Sequence, residues 1–205
     1  MAKETKQLNF WERPIYRPRL LPTSPFYFLK TWKEKWELSF ARTAEAKVAK
    51  KAEIAHRRLA EAKVLVEKKP KLAEKWLEKY QQRLEDLDET IEKLPPEKAE
   101  AVKEHVAEMT LKHQKVLLEV LEKAPESAQK GLQNALEKSV KSHQQAVGTL
   151  RKERQEKIRE KARKNQEKIL EKIEKLQIRI EEKAGTEAAE GIEQLQQQIQ
   201  LRLQK

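Results

Sequence analysis

Four histidines, His56, His105, His113 and His143, are the first side chains in this chain that suggest chemistry. A dinuclear iron centre in a helical bundle needs a Glu-x-x-His pair on each of two facing helices. One such pair is present, Glu53-Ile54-Ala55-His56, and no glutamate stands three places before any other histidine. His113 and His143 both fall on apolar stripes, where two facing imidazoles would attract a metal. If the chain turns near 124–125, however, His113 faces a position close to 136, which puts the His143 ring roughly 10 Å further along the axis. The histidines are therefore expected to be seam residues with polar partners, and no metal or cofactor is expected.

Nucleophilic chemistry has no better support. No serine or threonine stands in the strand–turn–helix setting that presents a hydroxyl beside a histidine. Carboxylates cluster as Glu85, Asp86, Asp88 and Glu89, but without a concave apolar site to raise a pKa they read as solvent-facing charges. The sequence has no cysteine, which removes zinc fingers, iron–sulfur clusters, thiol catalysis and disulfides together. Its four glycines all lie at or beyond position 131, leaving no Gly-rich phosphate loop. No catalytic residue is assigned and no enzyme is expected.

The elements that would position any site follow from composition and punctuation. Charged residues make up 39% of the 205 and aromatics 5%, and the dominance of Ala, Glu, Lys, Leu, Gln and Arg is that of long helices. The expected fold class is all-α, an elongated helical bundle with an aromatic-rich N-terminal head and a long helical or coiled-coil extension. Pro25, Pro70, Pro96 and Pro125 each precede a helical pattern, because a proline at the first helical position gives up a bond that is unmade there anyway. Three expected domains result: an extended Pro/Arg lead over 1–23, either an ordered strap or a disordered segment; a bundle head over 24–149; and a basic long helix with a C-terminal helical hairpin over 150–205.

Within the head the first helix should start at Pro25 with Ser24 or Thr23 as its cap. The second, from about Thr43, aligns Val48, Ala52, Ala55, Leu59, Ala62 and Val66. The third carries Leu72, Trp76, Tyr80, Leu84, Leu87, Ile91 and Leu94, and the fourth Ala99, Val102, Val106, Met109, His113, Val116 and Val120. Such narrow stripes predict side-by-side packing at shallow angles. Beyond Pro125 the pattern runs to Ala184, a length of roughly 90 Å if unbroken, with Gly148-Thr149 as a candidate stop and new cap.

Nine of the eleven aromatics lie in the first 40 residues, and the other two are Trp76 and Tyr80. A wide core is accordingly expected where the first helix meets the second and third, since aromatics supply the most area per residue. The rival use of those rings, stacking on single-stranded bases, needs them exposed on a basic groove. Net charge is +11, carried by the N-terminal third and by one late helix.

One stretch resembles a known family. Leu21-Pro22-Thr23-Ser24-Pro25-Phe26-Tyr27-Phe28-Leu29-Lys30, followed by Arg57-Arg58-Leu59-Ala60-Glu61-Ala62, is similar to an uncharacterised helical family of exported bacterial and archaeal proteins, known only as a domain of unknown function. The resemblance implies residence outside the cytoplasm, in the cell envelope or beyond it, and brings no catalytic residues. Read literally, the polar lead after Met1 has no apolar signal run and predicts a cytoplasmic chain. No apolar run approaches the length of a transmembrane span.

The expected function is that of a non-enzymatic structural or interaction protein, self-associating or binding a protein partner through helix seams, with Ile158, Ile169, Ile173, Leu176 and Ile180 as contacts. The alternative is a polyanion-binding module for nucleic acid or an acidic polymer, using Arg151, Lys152, Arg154, Lys157, Arg159, Lys161, Arg163 and Lys164. A periplasmic-type helical chaperone is the third reading.

Overall fold

The computed structural model describes residues 18–163 continuously and 171, 174, 175, 178 and 197 individually. Most of these residues are helical, and there is no strand among them. The elements are α1 (Tyr27–Ser39), α2 (Ala44–Lys68), α3 (Pro70–Glu92), α4 (Pro96–Leu121) and α5 (Glu126–Gly148), followed by α6, helical over 152–163. Proline starts α3 and α4 as expected, and Thr43 caps α2 by accepting a hydrogen bond from the Ala46 amide at 3.1 Å. Pro25 instead sits in a turn ahead of α1. There the Ser24 hydroxyl accepts from the Phe26 amide at 3.3 Å, and α1 begins two residues later than expected without a side-chain cap.

Four of these helices, α2 to α5, close into a bundle in the order α2, α3, α5, α4. Cross-helix bonds give the directions. Lys51 on α2 reaches Thr90 on α3, so this pair runs antiparallel. Lys138 and Ser142 on α5 meet Glu85 and Asp88 on α3, a parallel pairing. Thr110 and Ala107 on α4 meet His143 on α5, which is antiparallel. Consecutive α3 and α4 thus stand on a diagonal, joined by a short link across one end of the bundle.

The stripes read from the sequence form this core. Val48, Ala52, Ala55 and Ala62 on α2 are fully buried, as are Leu77, Tyr80, Leu84 and Leu87 on α3. Small side chains on α2 let its neighbours approach closely, and Gly131 does the same for α5. A Cβ at Gly131 would come within 3.2 Å of the Leu77 methyl.

The candidate stop at Gly148-Thr149 is where α5 ends, and Leu150 turns inward, so the long extension expected beyond it is corrected over the described residues. The chain then doubles back, and α6 runs parallel to α4 with Leu150, Ile158 and Ala162 buried. The wide aromatic core expected at α1 is a second correction: among the described residues it is not found. Phe26, Phe28, Trp32, Trp36 and Phe40 are each more than half exposed, and Leu29 nearly half. Of the aromatic side chains on α1, Tyr27 alone packs against the core cluster. The C-terminal hairpin expected within 150–205, folding 187–205 back on 165–184, falls outside the described residues except for positions 171, 174, 175, 178 and 197.

Candidate functional site

The one fully buried residue of α1 is Glu34, so this helix faces the bundle with its polar edge. A charged cluster explains the inversion. At its centre is Glu61 on α2, whose side chain has no exposed surface. Its carboxylate accepts from the Tyr27 hydroxyl at 2.7 Å, Lys30 at 2.5 Å, the Trp76 indole at 2.8 Å and both ways from Arg58 at 2.8 and 3.0 Å. A buried carboxylate is tolerable only with this degree of satisfaction. Arg58 bonds Glu34 with its other amino group. Glu34 also holds Arg57, which bonds Glu53 at 2.5 Å.

The two motifs that carried the family resemblance are therefore two halves of one lock. Tyr27 and Lys30 come from the first and Arg58 and Glu61 from the second. Burial, reinforced by the Glu61 charge, pushes the Tyr27 hydroxyl far above its ordinary range and keeps it a donor. Burial works against the Arg58 charge, but Glu61 and Glu34 outweigh it and hold the guanidinium protonated. The available signal was the Arg58/Glu61 spacing, which sets both charges on one helix face beside the small-residue stripe.

Locking the polar edge inward leaves the opposite edge outward. Phe28, Trp32, Trp36 and Phe40 recur every fourth residue on it, with Trp32 and Trp36 edge-to-face at 5.3 Å and Trp36 and Phe40 at 5.7 Å. Lys33 and Lys35 flank this ladder and are exposed, while the two carboxylates of the helix, Glu34 and Glu37, bond toward Arg57 on α2. The external face of α1 therefore combines aromatic rings with positive charge.

A second buried cluster joins three helices. His56 Nδ1 lies 3.1 Å from His113 Nε2, and the Tyr80 hydroxyl lies 3.1 Å from His113 Nδ1. A neutral imidazole donates at one nitrogen and accepts at the other, so the chain of bonds runs in a single sense. Burial lowers the His113 pKa well below the ordinary range, with the neighbouring His56 adding to the effect. His113 and Tyr80 are fully buried, and the cluster ties α2, α3 and α4 together.

The sequence-level expectation that His113 and His143 do not face one another agrees with the structure, where His143 lies 2.9 Å from the Ala107 carbonyl. Glu53 of the single Glu-x-x-His pair turns to Lys50 and Arg57, away from the His56 contact with His113. Among the described residues no group of three or more His, Asp or Glu has the arrangement of a metal site.

The remaining predicted contacts divide three ways. Ile158 is 1% exposed in the chain's own core, so it is withdrawn as a partner contact: α6 folds back and spends that seam on α4. Ile169, Ile173, Leu176 and Ile180 lie outside the described residues, as does Lys164. In the basic stripe, Arg151 pairs with Glu100 at 3.2 Å, Arg154 with Glu104 at 3.1 Å, Lys157 with Glu104 at 4.0 Å and Lys161 with Glu108 at 2.5 Å. Half of the proposed polyanion site is thus engaged with α4 carboxylates, while Lys152, Arg159 and Arg163 are exposed.

Among the described residues no helix is long and apolar enough to cross a membrane. No curated protein and no solved structure matches the chain. A family described as a domain of unknown function (DUF5667) matches residues 19–127, from the turn before α1 to the first turn of α5. That span includes Glu61 with all of its donors, the aromatic ladder and the three-helix histidine cluster, and it covers more than half of the sequence: the chain belongs to the DUF5667 family.

Proposed function

We propose that this protein is a non-enzymatic helical interaction module whose docking surface is the outward aromatic face of α1. The observation that carries the reading is the inverted packing of that helix. Glu34 is 4% exposed, whereas Trp32 is 59% and Phe40 67% exposed. A surface helix ordinarily buries its apolar stripe, and large contiguous apolar patches mark interaction sites. Here the molecule instead commits a buried ion-pair network to holding the rings outward. The buried His113 and Tyr80, and the structural use of Glu61, support a role other than catalysis. The resemblance of the two motifs to exported proteins supports a place in the cell envelope or outside the cell.

The reading moves the contact surface from the late seam to α1. It is tested by fractionating cells that produce the full chain. The wild type is expected in a particulate or high-mass fraction, and Trp32→Ser/Trp36→Ser is expected to shift it to the monomer position. Identical fractionation of the two proteins overturns the proposal. The polyanion alternative draws support only from Lys152, Arg159 and Arg163, since the other described cations of that stripe are paired.

A further inference from the structure

We infer that the occupant of the α1 face is an anionic lipid surface, on which the helix lies parallel to the plane with its aromatic ladder among the headgroups. The inference rests on the docking role proposed for α1 and names its partner. Three observations on this helix favour lipid over a protein groove.

The first is the kind of apolar side chain. The exposed large residues of this face, apart from Leu29, are Phe26, Phe28, Trp32, Trp36 and Phe40. Phenylalanine and tryptophan suit the boundary between acyl chains and headgroups, where an indole keeps its ring in apolar surroundings and its N–H in a polar layer.

The second is the sorting of charge around the helix. Lys33 and Lys35 border the ladder on opposite sides, Arg42 follows it and Arg19 precedes it, and all four are exposed. The acidic side chains of the helix turn mainly toward α2: Glu34 is buried against Arg57 and Arg58, and Glu37 lies 3.5 Å from both Lys50 and Arg57, with Lys33 reaching it at 3.9 Å. The rim left around the rings is cationic, complementary to an anionic headgroup layer. A helix that offers aromatics on one side and lysines at its flanks has the pattern of an interfacial helix.

The third is mechanical. A helix lying in an interface by itself must fold there, but α1 is already fixed by Tyr27, Lys30 and Glu34 on its inner edge. Its rings are presented in register before contact, which reduces the ordering cost of binding. Neither signal alone gives stable attachment, since one apolar contact is marginal and surface cations attract only while salt is low. Together they predict binding that needs both rings and anionic lipid.

The test is flotation of the purified full chain with phosphatidylcholine vesicles, with and without phosphatidylglycerol. The wild type is expected to float with the anionic vesicles, to stay behind with neutral ones and to be released by raised salt. Trp32→Ser/Trp36→Ser should reduce the bound fraction by about tenfold or more, and Lys33→Glu/Lys35→Glu should abolish the preference for anionic lipid. Both variants change exposed positions, and unchanged helicity by circular dichroism verifies that they fold.

Absence of wild-type flotation, equal flotation of all three proteins, or binding indifferent to phosphatidylglycerol overturns the lipid inference. If the lipid-free wild type is a dimer that Trp32→Ser/Trp36→Ser converts to monomer, a second copy is the occupant. The lipid inference then fails while the docking role stands. If cell fractionation is also unaffected by the double variant, the docking role fails with it.

Discussion

Helices α1 and α2 are both amphipathic, lie side by side and bury opposite kinds of surface. On α2 the apolar stripe Val48, Ala52, Ala55 and Leu59 points into the bundle and is 1% exposed or less. On α1 the apolar stripe points away, and Glu34, Lys30 and Tyr27 make the contact. The difference shows that burial of a helix is decided by the strongest available partner for each edge. For α2 that partner is the hydrophobic interior formed by α3, α4 and α5. For α1 it is Glu61, a buried carboxylate that requires donors wherever it can find them.

The largest effect should come from the region held by hydrophobic packing. Leu84 is fully buried, and Leu84→Ala is expected to cost about 4 kcal/mol of unfolding free energy in the manner of other large-to-small core changes. Urea denaturation measures it. A loss below about 1 kcal/mol would break the comparison by showing a core that collapses onto the space.

Next is the charged lock. Glu61→Gln keeps shape but takes from Lys30 its carboxylate and leaves Arg58 with Glu34 alone, at a fully buried site, at an expected cost of about 3 kcal/mol. The loss should be local first. Hydrogen exchange is expected to rise in α1 while amides of α4 and α5 remain protected, and uniform loss across all helices would show that the lock is part of the bundle rather than its attachment.

The histidine cluster sharpens the comparison through pH. Burial depresses the His113 pKa in the folded chain, so below the ordinary histidine pKa of about 6.5 the unfolded chain takes up a proton that the folded chain refuses. Stability is therefore complete above that pH. It should fall by about 1.4 kcal/mol per pH unit as the pH drops below it, until the folded pKa is reached. Thermal melts between pH 7.5 and 5 (roughly bracketing that value) should show the decline in wild type and a flatter line in His113→Gln. An equal slope in both would remove His113 as its source.

The smallest effect belongs to the outer face of α1. Trp32→Ala removes an exposed ring and should change stability by less than about 0.5 kcal/mol. A cost like that of Leu84→Ala would mean that the ring is covered.

Much of the bundle was legible before any coordinates. Proline at the first turn marks α3 and α4, and Thr43 marks α2, because each satisfies or removes an orphan amide. The stripe of α2 is buried throughout and that of α3 nearly so, because each has neighbours to receive it; on α4 the stripe takes in only part of the buried face, which also includes Ala107, Leu111, Leu117, Leu118 and Leu121. Reading α1 by the same rule failed, since periodicity identifies an apolar face without saying whether that face meets protein.

The pairing of His56 with His113 needed knowledge that α2 and α4 are neighbours running in the same direction, and local sequence does not carry adjacency. The late seam failed at Ile158 for a related reason. Its spacing is that of a contact surface, but the surface it meets is the chain's own α4. Tyr27, Lys30, Arg58 and Glu61 were visible as motif letters; their meeting at one carboxylate is a property of the fold.

The central claim, that α1 is gripped by its charged edge and holds its rings in solvent, is tested most directly by fluorine NMR of fluorotryptophan-labelled protein with a soluble paramagnetic agent. Each indole is read separately. The account predicts strong relaxation at Trp32 and Trp36, which are 59% and 51% exposed, and little at Trp76, which is 6% exposed. Trp32 and Trp36 as shielded as Trp76 in the lipid-free protein would contradict it.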